Sequence, residues 1–334
     1  MRVEDFDYHL PEELIAKYPV EPRHGARLMV LNRKTLEIKH DTFWNLPLYL
    51  QEGDLLVFNN SKVLPARLHG RKPTGGRVEV LLTDYITKRE WYALIGGKGI
   101  KEGMRIDVAE DLQVEVLQHI EGGKFRVRLL SPDPLKALDK HGKIPIPPYL
   151  KREEETLDRV YYQTVFACVE GSVAAPTASL HFSEELLKRL EEHGIKKAFI
   201  TLHISYGTFK PVKVQDVELH RVDPEYVKVP EETIRLVEET KKALGRVVAV
   251  GTTVVRALET AGFKPFEGWT ELYIYPGYKF KVVDALITNF HLPKSSLLFL
   301  VCAFGGREYI LRAYQEAVKE RYRFYSYGDG MIVF

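Results

Sequence analysis

Between Arg67 and Leu130 the chain changes period, and that change constrains its fold more than any other feature. The segments RVEVLL, WYALIG, RIDVAE, LQVEVLQHI and KFRVRLL place apolar residues at alternate positions, with glycines between them. Such alternation buries one face of a strand and leaves the other wet, so the stretch reads as a small antiparallel β unit. LQVEVLQHI and KFRVRLL join across Glu121, Gly122 and Gly123, as the arms of a hairpin do. Leu64 and Pro65 precede the block, and Pro145, Pro147 and Pro148 follow it. Proline continues neither a helix nor an inner strand, so both ends are expected to be linkers. The expected architecture is therefore a discontinuous α/β sheet domain, residues 1–63 and 149–334, with an inserted β-barrel domain at 64–148.

Outside the insert, helix and strand signals alternate. Ser183 is placed to cap a helix through Leu190, with Glu184 and Glu185 at its positive end and Gly194 as its stop. Pro230 opens a second helix whose Ile234, Val237 and Leu244 share a face and which Gly245 ends. A strand at RVVAV, a helix on TTVVRALETA, strands at ELYIY and VVDALITNF, and helices on SSLLFLVCAF and REYILRAYQEAVKERY follow. This βα alternation implies a sheet covered by helices.

Composition narrows the function classes. With 334 residues, 45% hydrophobic and 28% charged, the chain can bury a sizeable core in two domains. A net charge of +2 makes no overall demand for nucleic acid or an anionic membrane, so any such partner is recognised locally. The insert carries 15 Lys and Arg against 11 Asp and Glu, and the remainder 33 against 35, so the positive charge sits on the insert. Cys168 and Cys302 are far apart and have no CxxC spacing, which argues against a disulfide framework or a zinc site. The first residues, MRVEDFDYHLPEEL, lack the apolar run of a signal peptide, and LLFLVCAF is too short to span a bilayer. A cytoplasmic enzyme or binding protein is expected, with no membrane partner.

Several motifs are candidates for chemistry. VVAVGTTVVRALE presents Gly251, Thr252 and Thr253 at a helix N-terminus, where free N–H groups hold anionic or carbonyl-rich ligands. Arg256 lies one turn further on. Neither GxGxxG nor GxxxxGK[ST] accompanies them, so a dinucleotide site or P-loop is not supported. His181, His203 and His291 sit in apolar or small-residue contexts, and His203 and His291 fall at strand ends, where ligand crevices form in α/β sheets. Each is read either as a core histidine bonded to a carbonyl or as a group that moves protons. No HxxxH and no GxSxG occurs, which disfavours metal and Ser-nucleophile chemistry. Asn59 and Asn60 end a strand, as an Asx turn or as readers of polar edges, with Arg67, Arg71 and Lys72 supplying charge. KERYRFYSYGDG interleaves Arg321 and Arg323 with aromatics, either to stack a splayed base or to pin a terminal strand.

Taken together, FDYHLPEELIAKYPVEPR, GDLLVFNNSKVLPARLHGRK, PIPPY, YQTVFA, VAAPTASLHF, ITLHISYGTFKPV, AVGTTVVRALE, IYPGYKFKVVDALITNFHLPKSSLL and YRFYSYGDGM resemble the S-adenosylmethionine:tRNA ribosyltransferase-isomerases of queuosine biosynthesis, over essentially the entire chain. The resemblance implies an α/β domain interrupted by a β-barrel. It also implies a reaction: transfer and isomerisation of the ribosyl part of S-adenosylmethionine onto 7-aminomethyl-7-deazaguanine at the tRNA wobble position, giving epoxyqueuosine, adenine and methionine. S-adenosylmethionine is then a co-substrate, no cofactor or metal is needed, and the protein is expected to act as a monomer.

On that resemblance His203 is the leading base, His181 and His291 are its partners, and His220 also matches a family motif. Asn59, Asn60, Arg67, Thr177, Gly207, Thr208, Gly251, Thr252, Thr253, Arg256, Asn289 and Tyr325 are the expected substrate-binding residues, with Tyr206, Phe209 or Tyr325 facing the sulfonium. Thr252, Thr253 and Arg256 are assigned to the methionine or phosphate end of the donor. Three positions depart from the family pattern: Ser179 and Ser205 stand where glycine is usual, and Asp223 where many members have a second histidine. A noncatalytic tRNA-binding module and a metal-dependent hydrolase are the rival readings.

Overall fold

The computed structural model describes residues 1–334. After short 3₁₀ turns the chain forms β1 (Arg27–Leu31), β2 (Ile38–Thr42), β3 (Leu55–Asn59) and β4 (Ser61–Val63). Six strands follow: β5 (Arg67–Arg71), β6 (Arg77–Tyr85), β7 (Glu90–Gly96), β8 (Arg105–Ala109), β9 (Leu112–Glu121) and β10 (Lys124–Leu130). Helices α1 (Pro134–His141) and α2 (Asp158–Tyr161) lead to β11 (Val169–Ser172), α3 (Glu184–Glu192) and β12 (Lys196–Leu202). Next come β13 (Glu225–Val229), α4 (Glu231–Lys242), β14 (Val247–Val250), α5 (Thr252–Ala261) and β15 (Phe266–Thr270). The chain finishes with β16 (Ala285–Asn289), α6 (Ser296–Gly305), α7 (Arg307–Lys319) and β17 (Gly330–Val333).

Strands β5 to β10 close into an antiparallel barrel in the order β10-β7-β6-β5-β8-β9. Its alternating apolar residues, Leu68, Val80, Trp91, Val114 and Val127 among them, meet in one core with Ala137 and Leu138 of α1. The same core includes Val173, and Tyr206 packs against it, so the barrel is docked on two segments of the sheet domain.

The other strands, apart from the short β4–β11 pair, form a nine-stranded sheet, β15-β13-β12-β3-β14-β16-β17-β1-β2, in which β12, β3, β14 and β16 run parallel. LLVFN, VVAV and ALITN are buried at every position, as strands covered on both faces must be. Leu55, Val57, Val247, Ala249 and Leu286 face helices α4 to α7, whereas Leu56, Phe58, Val248, Val250 and Ile287 face α3 and the turn at 43–49. The fully buried Asp54 accepts Arg246 Nη2 at 2.7 Å and Nε at 3.1 Å, tying the start of β3 to that of β14. Parallel strands that start together also end together, so their carboxyl ends open on one edge of the sheet.

Ser183 caps α3, accepting the Leu186 N–H at 3.1 Å, and α5 covers TTVVRALETA as expected. Two local expectations are corrected and one open alternative is decided. ELYIY is not a strand: its predecessor FEGWT pairs with β13, while the Leu272 N–H is bonded by Thr270 and its carbonyl by Arg256, which leaves neither free for a ladder. Leu244, not Gly245, takes the left-handed conformation after α4, at φ 60°. Gly245 is needed for close approach instead, because a Cβ there would lie 2.6 Å from the Gly53 carbonyl oxygen. The aromatic tail is not a surface for stacking bases: Tyr322, Phe324, Tyr325 and Tyr327 are all buried, and the chain runs on into β17 inside the sheet. No helix is long and apolar enough to cross a membrane.

Phe58 is wholly buried and meets Phe166 and Phe182 at ring separations of 4.8 and 5.0 Å. Phe58→Ala is expected to cost about 3–5 kcal/mol, read as a lower urea midpoint, because the cavity left under α3 cannot be refilled.

Candidate active site

A cleft enclosing about 880 Å³, its open mouth included, lies where β12, β3, β14 and β16 end. That edge is where ligands bind in open α/β sheets. Gly251, Thr252 and Thr253 form its floor. Gly251 links β14 to α5 at φ +102°, a conformation that favours glycine, and α5 has no side-chain cap. The first N–H groups of the helix therefore have no capping side chain to satisfy them. Residues 174–178 make one wall and 288–292 the other; Tyr149, Phe209 and Tyr325 hang over it, with Tyr149 edge-on to Tyr325 at 4.6 Å and to Phe209 at 6.1 Å. The small side chains of Ala174, Ala175 and Ala178 let the backbone come close to whatever occupies the cleft.

Two buried asparagines shape the floor. Asn59 Oδ1 accepts the N–H groups of Leu202 (3.0 Å) and Ser61 (3.1 Å), while Nδ2 donates to the Leu202 carbonyl (2.9 Å) and to Thr253 Oγ1 (3.4 Å). Its capacity is spent inside the protein, as in an Asx turn, so Asn59 supports the cleft rather than reading a ligand. Asn60 accepts from Thr201 Oγ1 at 2.7 Å and does not line the cleft. Asn289 does, at the end of β16, and its Nδ2 donates to the Tyr325 carbonyl at 2.7 Å. A carbonyl only accepts, so Asn289 Oδ1 must face His181, which donates from Nε2 at 3.2 Å. That bond fixes the His181 tautomer.

The four histidines separate. His291 alone lines the cleft; its Nε2 bonds Thr288 Oγ1 at 2.8 Å, its N–H donates to the Tyr314 hydroxyl, and its carbonyl accepts from Tyr8. Desolvation lowers its pKa to about 3. His181 lies behind Asn289, stacked on Phe43 at 4.2 Å, and desolvation lowers it to about 4. His203 is not in the cleft, contrary to its expected leading role. Its ring is held between Tyr226, stacked at 5.3 Å, and Tyr85 of the barrel at 4.9 Å, and desolvation lowers it to about 4. A Cβ on Gly171 would come within 2.5 Å of His203 Nε2, so that glycine closes the third side. The cleft is lined by Ile204, the next residue, because neighbours on an extended chain point opposite ways. His220 stands in an adjoining open groove, edge-on to Tyr273 at 5.4 Å, and burial lowers its pKa.

Thr177, Thr208, Thr252, Thr253 and Arg256 line the cleft as expected, whereas Gly207 lines only the groove. Arg67 is on the barrel, paired with Glu79 at 2.5 Å, away from the cleft. Tyr206 packs on the barrel core, so of the expected aromatic faces only Phe209 and Tyr325 remain. Sequence reasoning missed Tyr149, Thr288 and Ser295, which line the cleft, and Glu225, which holds Arg256. PIPPY signalled Tyr149 only as part of a linker, and nothing in EYVKV marks its glutamate as buried. No three His, Cys, Asp or Glu side chains converge as a metal's donor set.

The sequence profile of the queuosine biosynthesis protein family matches residues 3–333. The chain belongs to this family. It is 74% identical to the S-adenosylmethionine:tRNA ribosyltransferase-isomerase of Aquifex aeolicus and 57% identical to that of Hydrogenobaculum, with 100% of each chain covered in both cases. The crystal structure of an S-adenosylmethionine tRNA ribosyltransferase from Thermotoga maritima is similar at a TM-score of 0.57 and 39% identity, over 99% of this chain and 100% of that one. Against the family pattern, Ser179 Oγ is buried without a protein partner, and the Ser205 N–H donates to Glu225 at 2.8 Å. Asp223 accepts from Lys210 at 2.7 Å and sits so close to Gly207 that a Cβ there would lie 2.3 Å from its Oδ2.

The depressed histidines set a pH dependence. Their folded pKa values, about 4, 4 and 3 for His181, His203 and His291, lie below the ordinary 6.5, so on acidification the unfolded chain takes up protons first. Stability is then full above pH 6.5 and falls as pH drops toward 4, above most carboxylate titration. Urea midpoints between pH 7 and 4.5 are expected to show that slope, and His203→Gln to flatten it.

Proposed function

We propose that this chain transfers and isomerises the ribosyl part of S-adenosylmethionine onto 7-aminomethyl-7-deazaguanine at the tRNA wobble position, giving epoxyqueuosine and releasing adenine and methionine. One observation carries the reading: a chain 74% identical, end to end, to a named ribosyltransferase-isomerase has a cleft lined by small, hydroxyl and aromatic side chains at the carboxyl edge of its parallel strands. S-adenosylmethionine is consumed as a substrate, and no cofactor enters. The protein works as a monomer in the cytoplasm.

In this mechanism the sulfonium acidifies the adjacent 5′ carbon, and a base removes its proton to leave an ylide. The ribose ring opens as adenine departs with the glycosidic electron pair, and the substrate amine attacks the former anomeric carbon. The 5′ carbanion bonds to that carbon to close the five-membered carbocycle, and the former ring oxygen then displaces methionine from the 5′ carbon to close the epoxide. His291 takes the base role in place of His203, because it is the histidine whose side chain lines the cleft. In the tautomer that donates Nε2–H to Thr288, Nδ1 keeps its lone pair. His181 acts through Asn289, whose amide it orients. Phe209, Tyr325 and Tyr149 offer ring faces to the sulfonium cation. The open groove beside the cleft, with Lys213 and Arg221 on its walls, takes the tRNA strand.

Mixing the protein with S-adenosylmethionine and tRNA bearing the aminomethyl precursor is expected to release one adenine per modified nucleoside, read by chromatography and nucleoside mass. Unchanged precursor would overturn the reading. His291→Ala is expected to slow adenine release roughly 10²- to 10⁴-fold with little change in melting temperature, while His203→Gln retains most of the rate.

A further inference from the structure

Arg256 and Glu225 form the one buried ion pair at the cleft, and its geometry is unbalanced. Glu225 is 3% exposed and begins β13; one of its carboxylate oxygens accepts from Arg256 Nη1 and the other accepts the Ser205 N–H at 2.8 Å. Arg256 Nε donates to the Leu272 carbonyl at 3.0 Å. Arg256 Nη2 is shut off from solvent and has no acceptor in the protein. A buried guanidinium N–H without an acceptor is costly, and an ion pair taken out of water is weak evidence of a purely stabilising role. The pair sits where the cleft and the groove meet, since Arg256, Thr208 and Leu297 line both.

We propose that Arg256 Nη2 receives a carboxylate oxygen of the donor's amino-acid end, and that Glu225 is the positioning residue that holds the guanidinium edge for it. The proposal rests on the function proposed above. Two anionic sources fit an Arg N–H at this junction, a carboxylate of the donor or a phosphate of the tRNA, and three features favour the donor. The cleft is otherwise lined by neutral groups, so only a ligand inside it meets Arg256 without competing cations. The uncapped N-terminus of α5, on the same helix as Arg256, adds N–H groups and a partial positive charge on the floor. Glu225 cancels the net charge of Arg256, which leaves directional hydrogen bonding rather than a long-range field, poor for steering a polyanion and suited to one fixed oxygen. Through the Ser205 N–H, Glu225 also sets the loop that carries Thr208 and Phe209 into the cleft.

The test is calorimetric binding of S-adenosylmethionine and of its decarboxylated analogue, without tRNA. The wild type is expected to bind the carboxylate-bearing compound on the order of 10- to 100-fold more tightly. Arg256→Met should bring the two affinities together by weakening S-adenosylmethionine alone, and Glu225→Gln should narrow the gap partway. Equal affinities in the wild type would overturn the proposal whatever the variants do. So would an unchanged ratio in Arg256→Met, or in the neutral Arg256→Gln should the methionine variant melt early. If Arg256→Met instead weakens tRNA binding and leaves the ratio intact, the phosphate source is correct and the donor assignment falls. Adenine release by the wild type is scored separately, so failure of the ribosyl-transfer reading and failure of the carboxylate contact are told apart.

Discussion

Four hydrogen bonds on the buried amide of Asn59 hold the floor of the cleft together. At that point β3 ends, β12 runs on past it to Leu202, and the peptide of Leu202 would lack ladder partners on that side. The amide replaces them, taking one N–H and returning one to the carbonyl, and a weaker bond to Thr253 reaches across to the start of α5. Three separate pieces of chain are thereby registered within one side chain's length. Backbone groups at strand ends must find partners or water, and water here would loosen the wall that the ligand needs. Ile204 and Thr252, which face the cleft, adjoin the segments this side chain ties together.

The barrel contributes without lining the cleft. Its strand β6 supplies Tyr85 to the ring packed around His203, and its core takes in Val173, next to the alanines of the wall. His203, enclosed by two tyrosines and a glycine, joins the barrel to the sheet. Motion of the barrel relative to the sheet would be felt first at residues 171–175 and 203–206, the two segments that connect directly to the cleft. The chain order, with the barrel inserted between β4 and β11, places those contacts beside the points where it leaves and rejoins the sheet domain.

Much of this was legible from the residues. Period two with glycine turns marked the barrel, because one-sided burial writes itself into alternation. VVAVGTT marked a strand, a turn and a helix start, because a buried parallel strand is uniformly apolar and its helix must begin at glycine. Ser183 announced α3 through its cap. What was not legible shares one cause. In ITLHISY both faces of the strand are buried, so parity carries no label saying which side is the cleft, and His203 and Ile204 exchange roles between the expectation and the structure. Asn59 was open between a turn and a ligand contact, and only the register of β3 against β12 decides it. Glu225 and Tyr149 come from the first residue of β13 and a proline-rich linker, and a distant partner alone gives each its meaning.

The position of β17 bears on how such a chain is made. It enters the sheet between β16 and β1, parallel to β1, and the β1–β2 hairpin touches the sheet only through it. The strand synthesised first in the sheet thus waits for the one synthesised last, while the barrel between them is free to close much earlier from neighbouring hairpins. Until translation has passed Val333 the apolar edges of β16 and β1 have no partner, and the nascent protein must keep them from pairing with anything else. The cleft wall formed by Thr288 and Asn289 at the end of β16 therefore gains its neighbouring strand after the barrel has had the chance to close.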